Sequence, residues 1–489
     1  MTVGDLTSHS GAHPDRWRAL VVACLGVFLL VVSLSSLNVA LAEIADAFGA
    51  DISDLQWIVD SYAVAFAGLL LAGGAIGDRI GRRPALIIGF GIFAAGNLMA
   101  ALGDSVSILI IMRTLAGVGA AMMMPATLAT VSEVFDDQTR PRAIAMWSSI
   151  AAAGGAFGPF LGGWMLTIAG WQAVFILNGS LALVGLILVP FWVPSLPGQR
   201  VGRFDFVGAI LSVAAVGCLV FLAIEGPVHP LSPATALSAA GAILLTVAFI
   251  KHESRTDFPL LPLELFDDRE RAIGAGTLTL AAFGFNGVFF IGALLVQIGW
   301  GESGLVAGLL LVPIGVAEVI VANGSVQLSR RFRVEHLITV GLVLMAAGYL
   351  AMGFTPEGNR LWFVIAGIVA GAGNGLTIPL SIERIVGSVE PAYAGVASSV
   401  NDMAIELGAS MGIGLLGALQ RLWFERGLPQ GATTAISDVA TETERNAFRS
   451  ASGAAFGLAA AVALAAIPIA RFSLRRQGSR SSIGANPGA

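Results

Sequence analysis

The feature that most constrains this chain is a succession of fourteen apolar runs, most of them near the length of a membrane-crossing helix. An α-helix needs about 20 apolar residues to cross the hydrocarbon core of a bilayer. Only 12% of the residues are charged, whereas soluble domains carry about 25%. The sequence therefore predicts an all-α polytopic membrane protein. The runs lie at about 17–41, 53–76, 85–103, 105–127, 139–165, 171–193, 205–225, 233–251, 272–298, 303–328, 336–354, 360–382, 394–420 and 450–471.

The basic residues predict the orientation of these spans. An even number of spans places both termini on one side, and cytoplasmic loops carry an excess of arginine and lysine. With cytoplasmic termini, 21 of the 27 basic residues fall on the cytoplasmic side and five on the other. The remaining one, Arg113, lies inside a span. We therefore expect a multi-pass protein of the cell's inner (plasma) membrane, with both termini in the cytoplasm.

Two connections are longer than the rest. Residues 252–271 mix polar and apolar side chains and are predicted to lie along the cytoplasmic surface, whereas 421–449 are predicted to form the one sizeable external loop. Neither is long enough for a soluble catalytic domain, and no GxxxxGK[ST] phosphate loop occurs. The sequence therefore predicts a protein that is not an enzyme, uses no ATP and no metal, and binds no nucleic acid.

A short charged stretch, residues 74–84, separates the second and third spans with the sequence GAIGDRIGRRP. Charges this dense are too costly for the hydrocarbon core, so a tight turn at the cytoplasmic surface is expected. Its arginines could pair with carboxylates across a seam and act as a gate, or the stretch could serve only to orient the chain. The residues that define it are Gly74, Asp78, Arg79, Gly81, Arg82 and Arg83.

A glycine–proline pattern marks the fifth span. Small residues at positions i, i+4 and i+8 form one flat helical face on which another backbone can pack closely, and a proline removes a backbone hydrogen bond. A generic packing face is the alternative to a functional motif. The residues are Gly154, Gly158, Pro159, Gly162 and Gly163.

Four charged residues lie deep inside spans, whereas Asp402 lies closer to the cytoplasmic end of the thirteenth span. Arg113 is always charged and requires a partner, and Asp60 in the second span is predicted to supply it through an ion pair. Glu318 and Glu406 lie near the middle of the tenth and thirteenth spans. An acid at that depth can bind a proton or a cation, so these three acids and Arg113 are predicted to couple protons to a substrate. A structural ion pair and neutral, merely packed carboxyls are the alternatives.

Together these motifs resemble the major facilitator superfamily, and within it the fourteen-span drug–proton antiporters. The charged stretch matches the signature loop of the superfamily, and the glycine–proline pattern matches the antiporter signature. The segments LNVALAEI and LQWIVDSY extend the resemblance through the first half of the chain, and it is looser in the second half. One departure is Ser33, which stands where the family commonly has an acid in the first span.

The resemblance implies two six-helix bundles with two inserted helices. We expect the N-terminal bundle at 1–193, the inserted helices with a cytoplasmic loop at 194–271, and the C-terminal bundle at 272–489. The implied function is proton-coupled export of small hydrophobic or cationic drugs by alternating access, with the proton as coupling ion and no other cofactor. We expect a monomer in the lipid bilayer. An uptake permease of the same fold and a non-transporting membrane sensor or assembly protein are the alternatives.

Overall fold

The structure is a computed structural model that describes residues 13–136, 138–195, 204–257, 259–261, 263, 268–356, 359–386, 394–428, 439 and 441–471. Within these residues the secondary structure is helical, with thirteen helices long and apolar enough to cross a membrane. The all-α fold class predicted from the apolar runs is therefore confirmed.

The helices follow the predicted spans in chain order. The first half of the chain contains α1 (Arg16–Phe48), α2 (Ile52–Ile80), α3 (Arg82–Ala100), α4 (Val106–Val134) and α5 (Arg140–Trp192). Next come α6 (Phe206–Glu225) and α7 (Pro233–Glu253). The second half contains α8 (Arg269–Leu294, extended by a π-helical turn at Leu295–Gly299), α9 (Gly304–Ser329), α10 (Val334–Gly353), α11 (Arg360–Val386), α12 (Ala394–Gly427) and α13 (Glu442–Arg471).

The long helix α5 accounts for two of the predicted spans. Its 53 residues would extend about 80 Å if straight, far beyond the hydrocarbon core of about 30 Å. The backbone leaves the helical conformation at Ala169 and Gly170, and Gly170 has φ 67°. Only glycine adopts such a conformation without strain. The chain therefore reverses at Gly170, and the thirteen helices make fourteen crossings.

Two predicted loops are shorter than expected. The charged stretch 74–84 is almost entirely helical, and the turn is confined to Gly81, whose φ of 92° joins α2 directly to α3. The predicted external loop 421–449 is also wrong in its bounds, since α12 continues to Gly427 and α13 begins at Glu442. In both places the charged side chains belong to the end turns of a helix rather than to a loop outside it.

Helix contacts group α1 to α5 together and α8 to α13 together. In the first group α1 packs on α5 and α2 packs on α4; in the second, α8 packs on α12 and α9 packs on α11. Of the inserted helices, α6 packs on α2 and α12, and α7 packs on α6. The division of the chain at 193/194 and 271/272 stays a prediction.

The two groups meet along two pairs of antiparallel helices, α2 with α12 and α5 with α9. Both pairs contain closely packed glycines. A Cβ added to Gly163 of α5 would lie 2.5 Å from the backbone oxygen of Gly304 in α9. Leu261 from the connection after α7 packs with Leu71 of α2 and Val400 of α12. The position of this connection at the cytoplasmic surface stays a prediction.

Candidate functional site

The seam between α2 and α12 carries a series of polar contacts that begins at the end predicted to be external. Arg421 of α12 pairs with Asp51, the N-cap of α2, at 3.1 Å, and donates to the Ser53 hydroxyl at 2.5 Å. Arg421 was expected in an external loop. Instead it lies within a helix, where it joins the two halves of the chain.

One turn deeper, the Gln56 side chain of α2 contacts the backbone of α12. Its side-chain nitrogen donates to the carbonyl oxygens of Ile413 and Gly414 at 2.6 and 2.7 Å, and the residue is fully buried. Gly417 leaves room for it, because a Cβ there would lie 2.5 Å from that nitrogen. We call Asp51, Ser53, Gln56 and Arg421, with their α12 partners, the external interlock.

Asp60 lies one turn below Gln56 on the same face of α2. It is fully buried, and the Ser410 hydroxyl and Glu406, both on α12, face it. Burying an ionised carboxylate beside another acid is costly, and binding a proton removes the charge. The structure therefore places Asp60 at the seam between the two halves, and its role in proton coupling stays a prediction.

Glu406 has a second acidic neighbour on its own helix. Asp402 precedes it by one turn and faces it. Sequence reasoning placed Asp402 close to the cytoplasmic end and left it out of the site. The spacing of four residues on one helix is a signal that could have found it, because such residues share a face. Asp402 and Glu406 on α12 and Asp60 on α2 thus form a row of neighbouring acids at the seam.

The predicted ion pair between Arg113 and Asp60 does not form. Arg113 is 1% exposed, donates from Nη1 to the Ser33 hydroxyl at 3.0 Å, and donates from Nε to the Ile58 carbonyl at 3.3 Å. Its guanidinium carbon lies 4.4 Å from the centroid of the Tyr62 ring. Ile58 and Tyr62 share the α2 face that meets α4, whereas Asp60, two residues from each, points away from it. Helix rotation therefore separates the two charges.

Glu318 lies on α9 in the other half, where it meets α11. Its carboxylate accepts a hydrogen bond from the Asn374 side-chain nitrogen at 2.8 Å. The Tyr349 hydroxyl of α10 also faces it. Asn374 and Tyr349 were not predicted from the sequence. Glu318 and Glu406 are therefore in different surroundings, since the first has a hydrogen-bond donor and the second lies beside another acid.

The predicted close packing of the glycine–proline stripe is observed, and the stripe contacts two helices. Gly154, Gly158 and Gly162 face α1, where a Cβ on Gly162 would lie 2.5 Å from the Ser36 carbonyl oxygen. Pro159 and Gly163 face α9 instead. The stripe therefore packs both within one half and across the seam, on the external side of Glu318.

Two arginines next to Gly81, Arg82 and Arg83, make contacts within the first half. Arg82 forms an ion pair with Asp78 and another with Glu133 of α4, the latter at 2.9 Å. Arg83 donates to the Pro190 carbonyl at the end of α5. Gly74 packs on Pro125 of α4. The contacts of Arg82 and Arg83 thus lie within the first half. Pairing of this stretch across the seam, and its role as a gate, stay predictions.

A cavity of about 480 Å³ opens between the two halves, at the end predicted to be external. Glu43 and Asp46 of α1 line it from one half, and Glu302 and Arg445 line it from the other. It lies away from Asp60, Glu318 and Glu406. The cavity marks where the halves would separate if the external side opened.

Two groups of membrane-spanning helices with titratable side chains along their seam define a membrane transporter. Residues 23–413 match the Major Facilitator Superfamily. The chain belongs to this superfamily, as the charged stretch and the glycine–proline pattern predicted.

Within this superfamily, relatives similar in sequence to this chain are drug-efflux and resistance proteins. The chain is 34% identical over 436 residues to the multidrug efflux pump LfrA of Mycolicibacterium smegmatis, with 88% of this chain and 86% of that protein covered. It is 29% identical to the tetracenomycin C resistance and export protein of Streptomyces glaucescens, covering 96% and 94% of the two chains. It is 30% identical to the methyl viologen resistance protein SmvA of Salmonella typhimurium, covering 83% and 82%. The predicted resemblance to multidrug and antibiotic exporters is confirmed.

Solved structures share the fold. A bacterial homologue of the human lysosomal transporter Spinster, in an inward-facing and occupied conformation, superposes with a TM-score of 0.68 at 15% identity, covering 95% of this chain and 98% of that chain. The nucleoside transporter NupG gives a TM-score of 0.62 at 12% identity, covering 93% and 99%. At these identities the likeness concerns the fold.

Proposed function

We propose that this protein is a proton-coupled exporter of small hydrophobic or cationic compounds, working by alternating access. The proton is the coupling ion, no other cofactor takes part, and the substrate leaves chemically unchanged. We place the protein in the cell's inner (plasma) membrane as a monomer with cytoplasmic termini. The similarity to efflux pumps supports export, and the chemistry of the seam supports proton coupling.

The observation that carries the proposal is the position of Asp60. It is a fully buried carboxyl that faces the Ser410 hydroxyl and the Glu406 carboxyl across the seam. When ionised, Asp60 and Glu406 would repel each other across the seam, whereas a proton on Asp60 removes that repulsion. Proton binding would therefore favour the closed external side, and proton release would favour its opening.

Everted membrane vesicles test this coupling directly. We expect Asp60→Asn and Glu318→Gln each to abolish substrate movement driven by a proton gradient, because neither amide can exchange a proton. Asp104→Asn, on the exposed connection between α3 and α4, should transport like the native protein. Native coupling in both site variants, at equal protein levels, would disprove the assignment of Asp60 and Glu318.

An uptake permease is the alternative supported by the fold itself, because importers and exporters share it. The direction of net movement in the same vesicles separates the two. Export predicts accumulation inside everted vesicles when their interior is acidic, and uptake predicts depletion. A membrane sensor predicts no movement with any of a panel of cationic dyes and antibiotics.

A further inference from the structure

Asn374 is a second determinant of the Glu318 site, although nothing in its sequence context marks it. It lies on α11, is 2% exposed, and donates from Nδ2 to the Glu318 carboxylate at 2.8 Å. Its own carbonyl oxygen makes no hydrogen bond with a described residue. The N–H of the Asn374 amide therefore donates to Glu318, and its carbonyl oxygen is still available to accept a hydrogen bond there.

The contact exists because α9 and α11 approach unusually closely. Gly367, Gly371 and Gly375 are four residues apart on α11 and share one face. A Cβ on Gly371 would collide with the Ile314 carbonyl oxygen of α9, and a Cβ on Gly375 would collide with that of Glu318. This spacing brings the short Asn374 side chain within reach of the carboxylate.

We propose that Asn374 is a positioning residue that sets the proton affinity of Glu318, a role that rests on the proton-coupled function proposed above. The amide N–H donates to the ionised carboxylate. After rotation about its terminal bond, the amide carbonyl accepts the O–H of the protonated acid. Asn374 thus supplies a partner to both protonation states, which no apolar side chain could do.

Few other groups compete for this role. Among the described parts of the helices packed on α9, the titratable group that faces Glu318 is the Tyr349 hydroxyl of α10. Tyr349 is fully buried and its hydroxyl makes no hydrogen bond with a described residue. The α5 face that meets α9 near Glu318 consists of small residues such as Ala156. Asn374 is therefore the polar contact whose removal changes the site most.

Infrared titration of the purified full-length protein tests the proposal. The carbonyl band of the protonated Glu318 side chain is identified by its loss in Glu318→Gln. In Asn374→Leu we expect the pH midpoint of this band to rise by about one pH unit or more, because the ionised carboxylate loses its donor. An unchanged midpoint would overturn the proposal.

Asn178→Leu is the matched control. Asn178 is 1% exposed and donates at 2.8 Å to the Val174 carbonyl of its own helix, so its loss should leave the Glu318 band unmoved. A shift in this variant as large as in Asn374→Leu would show a general effect of lost packing and overturn the proposal.

Asn374→Asp keeps the shape of the side chain and tests the same point if the leucine variant does not fold. A second acid beside Glu318 should raise the midpoint at least as far, and an unmoved midpoint would again overturn the proposal. The titration uses neither substrate nor gradient. A protein that shows the expected shifts but moves no substrate with protons would refute the proposed function and leave this inference standing.

Discussion

At the residue scale, the buried charge of Arg113 is surrounded by neutral groups. Its guanidinium is held by the Ser33 hydroxyl, the Ile58 carbonyl and the Tyr62 ring, all of them neutral. One of its terminal nitrogens makes no hydrogen bond with a described residue. Ser33 stands where the family commonly has an acid. The positive charge of Arg113 therefore lacks a carboxylate partner among the described residues.

Ser33→Asp should supply the missing negative charge. A carboxylate in contact with a buried guanidinium forms a charge-assisted hydrogen bond that contributes about 1.5–3 kcal/mol. We expect a higher midpoint of thermal unfolding in detergent. Ser36→Asp is the matched control, because Ser36 is also buried but donates to the Val32 carbonyl of its own helix. If both variants lowered the midpoint equally, the described surroundings of Arg113 would be wrong.

Sequence reasoning found the buried charges but not their partners. Long apolar runs identify Asp60, Arg113, Glu318 and Glu406 as intramembrane charges. The direction in which each side chain points depends on the rotation of its helix. Successive residues differ by about 100° around the helix axis, so residues close in sequence can contact different helices. The sequence did not predict a role for Asn374, because a single asparagine in a glycine-rich helix has no pattern that marks it as functional.

At the element scale, the external interlock should control whether α2 and α12 separate. Gln56→Leu removes two hydrogen bonds between the halves without adding a charge. We expect longer distances between nitroxide labels at Leu102 and Phe354, exposed residues at the external ends of the two halves. The labels require replacement of the two native cysteines, Cys24 and Cys218, by serine.

Gln420→Leu controls for the loss of a buried glutamine. Gln420 is fully buried and donates to the Ser452 hydroxyl at 2.8 Å, a contact within the second half. It should leave the distance between the labels unchanged. Equal distances in the Gln56 variant and the native protein would mean that the interlock does not hold the external side closed.

The contact between α5 and α9 gives an independent prediction for the same label pair. A Cβ on Gly163 would lie 2.5 Å from the Gly304 carbonyl oxygen across the seam, whereas the nearest atom to a Cβ on Gly155 is 3.5 Å away. Gly163→Ala should therefore lengthen the distance between the labels, and Gly155→Ala should not. The opposite order would contradict the described packing.

The sequence predicted which segments are helical better than it predicted the residues at which the helices end. Each predicted span corresponds to a helix or to part of one, because about 20 apolar residues must be helical in a bilayer. The turn at Gly81 and the extension of α12 to Gly427 were not predicted, since charged residues at a membrane surface can lie inside or outside a helix. Packing decides between the two, as the pairing of Arg421 with Asp51 shows.

At the scale of the whole molecule, fourteen crossings with both termini in the cytoplasm predict which side each loop faces. A fluorescent protein fused to the C-terminus should fluoresce in bacterial cells, because it folds in the cytoplasm. Alkaline phosphatase fused after Phe354 should be active, and after Arg331 inactive, because the first position is external. Active phosphatase after Arg331 would mean that one of the predicted crossings does not exist and that the orientation assigned to the second half is reversed.

The cross-seam bond of Gln56 has a consequence for how the protein is made. Its partner Ile413 lies 357 residues later in the chain. At about 5–20 residues per second, a ribosome needs about 20–70 s to cover that interval. During this time α2 has entered the membrane with Gln56 and Asp60 still lacking α12. Because this polar face has none of its α12 partners in that interval, we expect a chain that stalls before α12 to be degraded faster than the complete protein.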